Sequence, residues 1–203
     1  IDEVLDLSKI ESGTLKFHYS RVEVNDLCRE IQASHQLCSS STMLLLDLPD
    51  GELFMKLDKN RVTQVISNLI DNAFKFMKQG SVTLGYRMIP GFVEFFVKDV
   101  GIGIPEDKLE VIFDRFERVD HFVPGTGLGL SICKSIVERM GGDISVTSEV
   151  GVGSVFSFRI PREGARTEDE KNEIRPRLTS VPRKKTNEKA TILVAEDDED
   201  NYA

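Results

Sequence analysis

The spacing of apolar residues predicts several amphipathic helices along this chain. Apolar side chains that recur three and four residues apart share one face of a helix. They predict helices that end near Ser12, run over 25–38, 58–77 and 129–140, and start for a short stretch at Pro105. Asn25 and Asp58 are the predicted N-caps, because a side-chain oxygen there can accept a free N–H of the first turn.

Other segments predict strands, and 15–24 alternates apolar and polar residues in the way typical of a half-buried strand. They lie at 15–24, 43–48, 53–57, 81–88, 92–99, 143–148 and 154–160. Helices and strands are mixed along the chain, and several strands are hairpin neighbours. This order favours an α/β fold in which helices cover one face of an open mixed sheet.

The composition changes after residue 161. Residues 162–190 are charged, contain proline and have few large apolar side chains, which predicts a flexible linker. Residues 191–195 are apolar and β-branched again, and acidic residues occupy 196–200. The expected organisation is a helix end over 1–13, one domain over 14–161, the linker, and the start of a further domain over 191–203.

Charge and cysteine content restrict the function classes. The chain has 26 Lys and Arg against 34 Asp and Glu, a formal net charge of -8, so phosphate groups must be held locally rather than by a basic surface. The three separated cysteines predict free thiols, a reducing compartment and by default the cytosol. No apolar run has the length of a membrane span. We also expect both ends of the chain to cut through longer structure.

A polar stripe runs along the helix predicted over 58–77. Gln64, Asn68, Asn72 and Lys75 are spaced four, four and three residues apart, so they share one side of that helix. Each of them taken alone is an ordinary solvated residue. Together they identify the side of the helix on which chemistry could occur.

Three glycine clusters follow the stripe, at 99–105, 125–130 and 151–154. Such clusters mark tight turns or a close approach of the backbone to a ligand, and each one alone is more often a turn. The second cluster leads into a predicted helix, whose N-terminal N–H groups favour an anion such as a phosphate chain. Its GxGxG pattern is neither a dinucleotide fingerprint nor a Walker loop.

Four segments in this order resemble the conserved boxes of sensor histidine kinases. The segments are 68–76 (N box), 99–105 (G1), 112–118 (F) and 125–130 (G2). The resemblance spans about residues 14–161 and implies the Bergerat ATP-binding fold, a two-layer α/β sandwich with a mixed, mostly antiparallel sheet. Type II topoisomerases, mismatch-repair ATPases and a heat-shock chaperone share that fold.

The resemblance also implies roles for individual side chains. Asp99 matches the aspartate that accepts the exocyclic amine of adenine, which excludes guanine. Asn72 matches the magnesium ligand, and Asn68 would support it from one turn earlier. Lys75 and Arg118 match cations that contact the phosphates.

The glycine-rich boxes would form the rest of an ATP site. Gly101 and Gly103 would let the backbone pass close to the base, and the segment between the first two clusters, with Phe113, Phe116 and His121, would be a mobile lid that closes over ATP. Gly125, Gly127 and Gly129 would form its hinge and phosphate cradle. The implied nucleotide-contacting set also includes Ile104, Phe116, Thr126, Leu128 and Leu130.

The flanking segments extend the resemblance to a hybrid kinase. Residues 7–13 resemble the end of the dimerisation and phosphoacceptor hairpin, and 192–198 resemble the first strand of a receiver domain, with Glu196 and Asp197 as its acidic pair. The implied partners are that histidine-bearing hairpin, a fused or separate receiver and a second copy of the full-length protein. The implied place is a cytoplasmic domain whose parent can be anchored in the bacterial inner membrane.

Neither phosphoacceptor of the family is expected within these 203 residues. The acceptor histidine lies in a His-Glu or His-Asp context, which His18, His35 and His121 do not match, so they are predicted to be strand-surface, helix-surface and lid residues. Two other functions stay open. One is a related ATPase or a serine kinase of the anti-sigma type, which the flanks disfavour; the other is a docking module without nucleotide turnover, which the full set of expected ligands disfavours.

Overall fold

The computed structural model describes residues 2–36, 42–77, 79–117 and 126–162. The helices in these ranges are α1 (Asp2–Glu11), α2 (Val24–Gln36), α3 (Lys59–Lys75) and α4 (Gly129–Arg139), with a 3-10 turn at Glu106–Lys108. The strands are β1 (Ser20–Glu23), β2 (Thr42–Asp47), β3 (Phe54–Leu57), β4 (Gly80–Ile89), β5 (Phe92–Lys98), β6 (Asp143–Glu149) and β7 (Gly153–Pro161).

Five strands form one mixed sheet in the order β2-β4-β5-β7-β6. Only the β2–β4 pair is parallel; the β4–β5, β5–β7 and β6–β7 pairs are antiparallel. Strands β1 and β3 form a separate antiparallel ribbon. The mixed, mostly antiparallel α/β sheet expected from the sequence is therefore confirmed.

The core lies between this sheet and helices α2, α3 and α4. Alternate residues of the central strands point into it, and the Phe95 and Phe158 rings of neighbouring strands stack with centroids 5.0 Å apart. Helix α3 contributes a continuous buried face, from Val62 to Ala73. Its opposite polar side is thereby left for other contacts.

Two local expectations near the start of the domain are wrong. The strand expected over 15–24 is confined to Ser20–Glu23, because its partner β3 is only four residues long and the His18 N–H donates to the Asp58 carboxylate instead (2.7 Å). Asn25 is not an N-cap: α2 begins one residue earlier, and the Glu23 carboxylate accepts the N–H groups of residues 25 and 26. The Asn25 side chain is buried and bonded to the Gly51 carbonyl and to Tyr86.

Several expectations concern parts of the chain outside the described ranges. They are Cys38, the middle of the predicted lid with Arg118, His121 and Gly125, and the linker and receiver-like segments over 163–203 with Glu196 and Asp197. Within the described ranges, no helix is both long enough and apolar enough to cross a membrane. Cys28 and Cys133 are buried free thiols, as the sequence predicts.

Candidate nucleotide-binding site

Helix α3 carries the polar stripe. The Asp58 carboxylate accepts the Arg61 N–H (3.0 Å) and caps the helix as predicted. The last turns expose Lys75, whose ammonium lies 5.3 Å from the centroid of the Phe76 ring, while Asn72 is half-buried. The apolar face of α3 is fixed in the core, so the orientation of its polar side is fixed with it.

The first asparagine of the stripe lies directly against the second glycine cluster. A Cβ atom on Gly129 would be 2.5 Å from the Asn68 side-chain oxygen, closer than real Cβ contacts. Helix α4 starts at this glycine, with Leu128 at the N-cap position. Leucine has no side-chain acceptor, so the N–H groups of the first turn are left for another acceptor.

The first glycine loop, residues 99–104, holds a buried carboxylate. Asp99 is 7% exposed, and one of its carboxylate oxygens accepts the Gly101 N–H (2.8 Å). Burial raises the pKa of Asp99, and the N–H groups that bond to it act in the opposite direction. A buried carboxylate with remaining acceptor capacity can bind a donor of a ligand.

The same loop is bonded to the C-terminal end of α3. The Ile102 N–H donates to the Phe76 carbonyl (3.3 Å), and a Cβ atom on Gly101 would lie 2.7 Å from that carbonyl oxygen. The stripe of α3 is thus joined to the first glycine loop at one end and to the start of α4 through Asn68. The structure brings together three segments that are far apart in sequence.

The third glycine cluster forms the turn between β6 and β7, and it packs against the first glycine loop. We call residues 148–154 the hairpin turn. Gly103 has a φ of 71°, and a Cβ atom on it would lie 2.1 Å from the Glu149 carbonyl oxygen. The Asp99 N–H donates to the Ser154 carbonyl (2.9 Å), and the Ser148 hydroxyl accepts the Ile104 N–H (2.8 Å).

Ser148 and Ser154 are the contacts that sequence reasoning missed. Neither serine belongs to a ligand-binding pattern recognised in the sequence. The available signal was the third glycine cluster, which ends at Ser154 but had no assigned role. Its role depends on a contact between segments about fifty residues apart, which periodicity does not reveal.

The two described ends of the predicted lid meet at Phe116 and Gly127. The Phe116 N–H donates to the Gly127 carbonyl (2.9 Å), and a Cβ atom on Gly127 would lie 2.8 Å from the Phe116 backbone. Phe116 has a φ of 66° and is 68% exposed. The Thr126 hydroxyl accepts the Leu128 N–H (3.2 Å), and Leu128 is buried while Leu130 is half-buried.

Helix α1 contacts the same framework through polar side chains. The Asp6 carboxylate accepts hydrogen bonds from Arg61 (3.2 Å) and Gln64 (2.6 Å). Gln64 therefore binds to α1, although it belongs to the polar stripe of α3. The Arg139 guanidinium donates to the Ile10 carbonyl (2.7 Å), and Glu11 pairs with Arg115 in the described part of the predicted lid.

The remaining aromatic and histidine predictions have mixed outcomes. Phe113 packs against Phe156 in an edge-to-face contact, with centroids 6.3 Å apart, so part of the F-box segment is anchored to the core. His18 is exposed just before β1. His35 lies on α2, but only 12% of its side chain is exposed because it packs beside Asp71 and Phe74, so its predicted surface position is wrong.

The arrangement therefore has two chemically distinct ends. One end presents a buried carboxylate that can accept a hydrogen bond from a ligand. The other presents an N-terminal helix turn without a side-chain acceptor, which favours an anion. Lys75 is exposed near the C-terminal end of α3, and its positive charge also favours an anion. The amide side chains of α3 lie between these ends. Within the described ranges, no cluster of three or more His, Cys, Asp or Glu is placed to hold a metal ion by itself.

Comparison with known proteins gives consistent results. Residues 57–164 match the family model of the histidine kinase-, DNA gyrase B- and HSP90-like ATPases. Sensor histidine kinase RcsC of Escherichia coli K12 is 39% identical over 172 residues, and hybrid signal transduction histidine kinase B of Dictyostelium discoideum is 33% identical over 173. The aligned regions cover 81% and 79% of this chain but only 18% and 9% of those proteins.

A solved structure supports the same relation. Full-length ShkA, crystallised in complex with AMPPNP, superimposes with a TM-score of 0.74 and 28% sequence identity. The match covers 81% of this chain and 35% of that one. The family match spans more than half of this chain and includes α3, all three glycine clusters and α4. The chain therefore belongs to the histidine kinase-, DNA gyrase B- and HSP90-like ATPase family. Within that family it is a catalytic domain of the sensor histidine kinase type.

Proposed function

We propose that this chain binds MgATP and transfers its γ-phosphoryl group to a histidine outside these 203 residues, within a two-component phosphorelay. The observation that supports this proposal most strongly is the contact of α3 with both the first glycine loop and the start of α4. Together these segments offer complementary chemistry for a base at one end and for phosphates at the other.

Asp99 is proposed to select adenine. Its carboxylate is buried and keeps acceptor capacity beyond the bonds from the Gly101 and Ser154 N–H groups, so it can accept the exocyclic amine of the base. Guanine has a carbonyl at the same place, and this acceptor would face the Asp99 carboxylate, which is also an acceptor, so guanine would be disfavoured. A hydrogen bond to a charged group contributes about 1.5–3 kcal/mol, enough for a clear preference.

The phosphates are proposed to lie at the start of α4. Gly125, Gly127 and Gly129 would form the phosphate cradle there, and Lys75 with Arg118 would supply positive charge. Ile104, Phe116, Thr126, Leu128 and Leu130 complete the proposed nucleotide-contacting set.

Asn72 is the proposed magnesium ligand. Its side-chain amide makes no hydrogen bond to a residue in the described ranges, and it follows Asn68 by one helical turn. Mg²⁺ is usually held by one or two protein oxygens together with phosphates and water, so a single amide oxygen fits this role. When bound, the ion would neutralise charge on the phosphates.

The division of the chain and its partners are also proposals. Residues 1–13 would end the phosphoacceptor hairpin, 14–161 would be the catalytic domain, 162–190 a linker and 191–203 the start of a receiver. The polar contacts of α1 with α3 and α4, and the name of the Dictyostelium relative, support a larger hybrid protein. The parent would be a homodimer through the hairpin, with a cytoplasmic catalytic domain and an anchor in the bacterial inner membrane.

Calorimetric titration of the whole chain with ADP and GDP, with and without Mg²⁺, tests nucleotide binding. We expect ADP to bind more tightly than GDP, and Asp99→Asn to weaken ADP binding about tenfold or more. Asp107→Asn, at an exposed carboxylate just after the loop, is the matched control and should leave binding unchanged. Absence of any heat with ADP would favour a docking module instead.

Incubation with γ-labelled ATP tests the reaction type. The chain should bind the nucleotide without acid-labile self-labelling, and should label an added histidine-bearing hairpin of a related kinase. Strong labelling of the chain alone would contradict the proposed location of the acceptor. Steady release of inorganic phosphate without an acceptor would favour an ATPase.

A further inference from the structure

The first glycine loop is fastened to the hairpin turn along its whole length. The Asp99 N–H donates to the Ser154 carbonyl (2.9 Å), the Gly151 N–H donates to the Ile102 carbonyl (2.9 Å), and the Ile104 N–H donates to the Ser148 hydroxyl (2.8 Å). Two of these bonds use only main-chain atoms. The third depends on a side chain, and it is the one that a substitution can remove.

The backbones of the two segments are also in direct contact. A Cβ atom on Gly153 would lie 2.2 Å from the Asp99 carbonyl oxygen and 2.9 Å from the Val100 Cα. A Cβ atom on Gly103 would lie 2.8 Å from the Val150 Cα. A displacement of the hairpin turn would therefore move the residue that carries the buried carboxylate.

The Ser148 hydroxyl uses all of its hydrogen-bonding capacity in this contact. A serine hydroxyl has one donor hydrogen and two acceptor lone pairs. It donates to the Gly153 carbonyl (2.9 Å), accepts the Ile104 N–H, and lies 2.9 Å from the Ser154 hydroxyl, which can donate to it. One side chain thus joins the far end of the first glycine loop to the start of β7, where the Ser154 carbonyl accepts the Asp99 N–H.

We propose that Ser148 is a positioning residue that sets base specificity by holding the first glycine loop on the hairpin turn. This inference rests on the proposed nucleotide-binding function. Ser148 acts through the loop and not by touching the base. Its loss would leave the Ile104 N–H without its acceptor and the Ser154 hydroxyl without a neighbour, so the position of Asp99 would be less well defined. Small misplacements of a recognition group reduce discrimination strongly.

The test compares binding of ADP and IDP to the whole chain by calorimetry. IDP carries a carbonyl in place of the exocyclic amine, so the ratio of the two dissociation constants measures recognition by Asp99. We expect Ser148→Ala to reduce the preference for ADP about tenfold, equivalent to about 1.4 kcal/mol. Ser148→Thr keeps the hydroxyl on a strand position and should restore most of the preference.

Ser145→Ala is the matched control, because Ser145 is exposed on the same strand and the substitution removes the same atom. Ser148→Cys keeps the side-chain size but is a poor acceptor, so it provides the test if Ser148→Ala does not fold. Circular dichroism and thermal unfolding without nucleotide show whether the Ser148→Ala protein is folded.

An unchanged ADP to IDP ratio in a folded Ser148→Ala or Ser148→Cys protein would overturn the inference. A loss of affinity that is equal for both nucleotides would also overturn it, because it would indicate a general structural role. Wild-type protein that binds ADP and IDP equally, or binds neither, would instead contradict the proposed function itself.

Discussion

The two ends of the candidate site are built in different ways. At the carboxylate end, the first glycine loop and the hairpin turn are joined mainly by backbone hydrogen bonds and by backbone contacts that only glycine permits, at Gly103 and Gly153. At the helix end, the groups are side chains on α3, and Asn68 contacts Gly129 through a flexible amide. Changes to the glycine backbone at the carboxylate end should therefore affect folding most, and changes at the helix end should affect mainly binding.

The largest effect is expected for Gly103→Ala. The new Cβ atom would collide with the Glu149 carbonyl, and the φ of 71° is strained for any L-residue, so stability should fall by about 3 kcal/mol. Urea unfolding followed by circular dichroism measures this loss. Gly51→Ala is the matched control: its φ is 88° but no atom lies within 4 Å, so only the conformational cost of about 1–2 kcal/mol remains. Equal losses at the two sites would refute the backbone account of this end.

Gly129→Ala should have the opposite effects, with little loss of stability and a clear loss of nucleotide binding. The collision at Gly129 is with the end of a side chain that can rotate away, so stability should change by less than about 1 kcal/mol. Displacement of Asn68 from the start of α4 should weaken MgADP binding about tenfold, measured by calorimetry.

A double-mutant cycle with Asn68→Ala provides the control for this effect. If the displaced amide causes the loss, Asn68→Ala alone should weaken binding to a similar extent and the double variant should add little. Additive losses would mean that Gly129 acts independently of Asn68, and the proposed role of their contact would be wrong.

Asp99→Asn should stabilise the protein while it impairs binding. Burial raises the pKa of the Asp99 carboxyl above its ordinary value of 3.8, so the folded state binds this proton more tightly than the unfolded state. Its contribution to stability therefore falls as the pH rises from 3.8 through the raised value. Asparagine carries no charge and can still accept the Gly101 N–H.

Thermal unfolding between pH 3 and pH 8 measures this difference. The melting temperature of Asp99→Asn should exceed that of the wild type near neutrality, and the two should converge at the acidic end. The exposed Asp107→Asn variant serves as the control and should follow the wild type throughout. A less stable Asp99→Asn protein at neutral pH would mean that burial is not the dominant influence on this carboxyl.

The smallest effect is expected at the pair formed by His35 on α2 and Asp71 on α3, whose side chains approach to 3.5 Å. Asp71 raises the pKa of His35 above 6.5, burial opposes this, and the Ile31 carbonyl adds to the rise. The stabilisation is complete below pH 6.5 and is lost as the pH rises through the raised value. Because 70% of the Asp71 side chain is exposed, His35→Gln should cost only about 0.5 kcal/mol at pH 6 and less at pH 8. An effect that is independent of pH would exclude this pair as its source.

Helix α3 and the central strands could be predicted from the sequence alone. Regular apolar spacing and the Asp58 cap identified α3, because a long helix buries one continuous face. Strands β4, β5, β6 and β7 begin and end within one residue of the predicted bounds. The short segment before α2 was not predictable in this way. Its strand length depends on β3, and its cap is Glu23 rather than Asn25.

For the candidate site, the sequence by itself determined the residue types. It contained the asparagines of α3, the aspartate before the first glycines and the glycines themselves, and their order was sufficient to indicate the family.

Only the tertiary structure decided which of these residues meet. The contact of Asn68 with Gly129, and the attachment of the first glycine loop to Ser148 and Ser154, join positions separated by about 50 residues or more along the chain. Local periodicity reports which face of an element is buried, but not which other element covers it. That choice follows from packing the whole sheet and its helices into one core, where each hydrogen bond depends on the position of both partners.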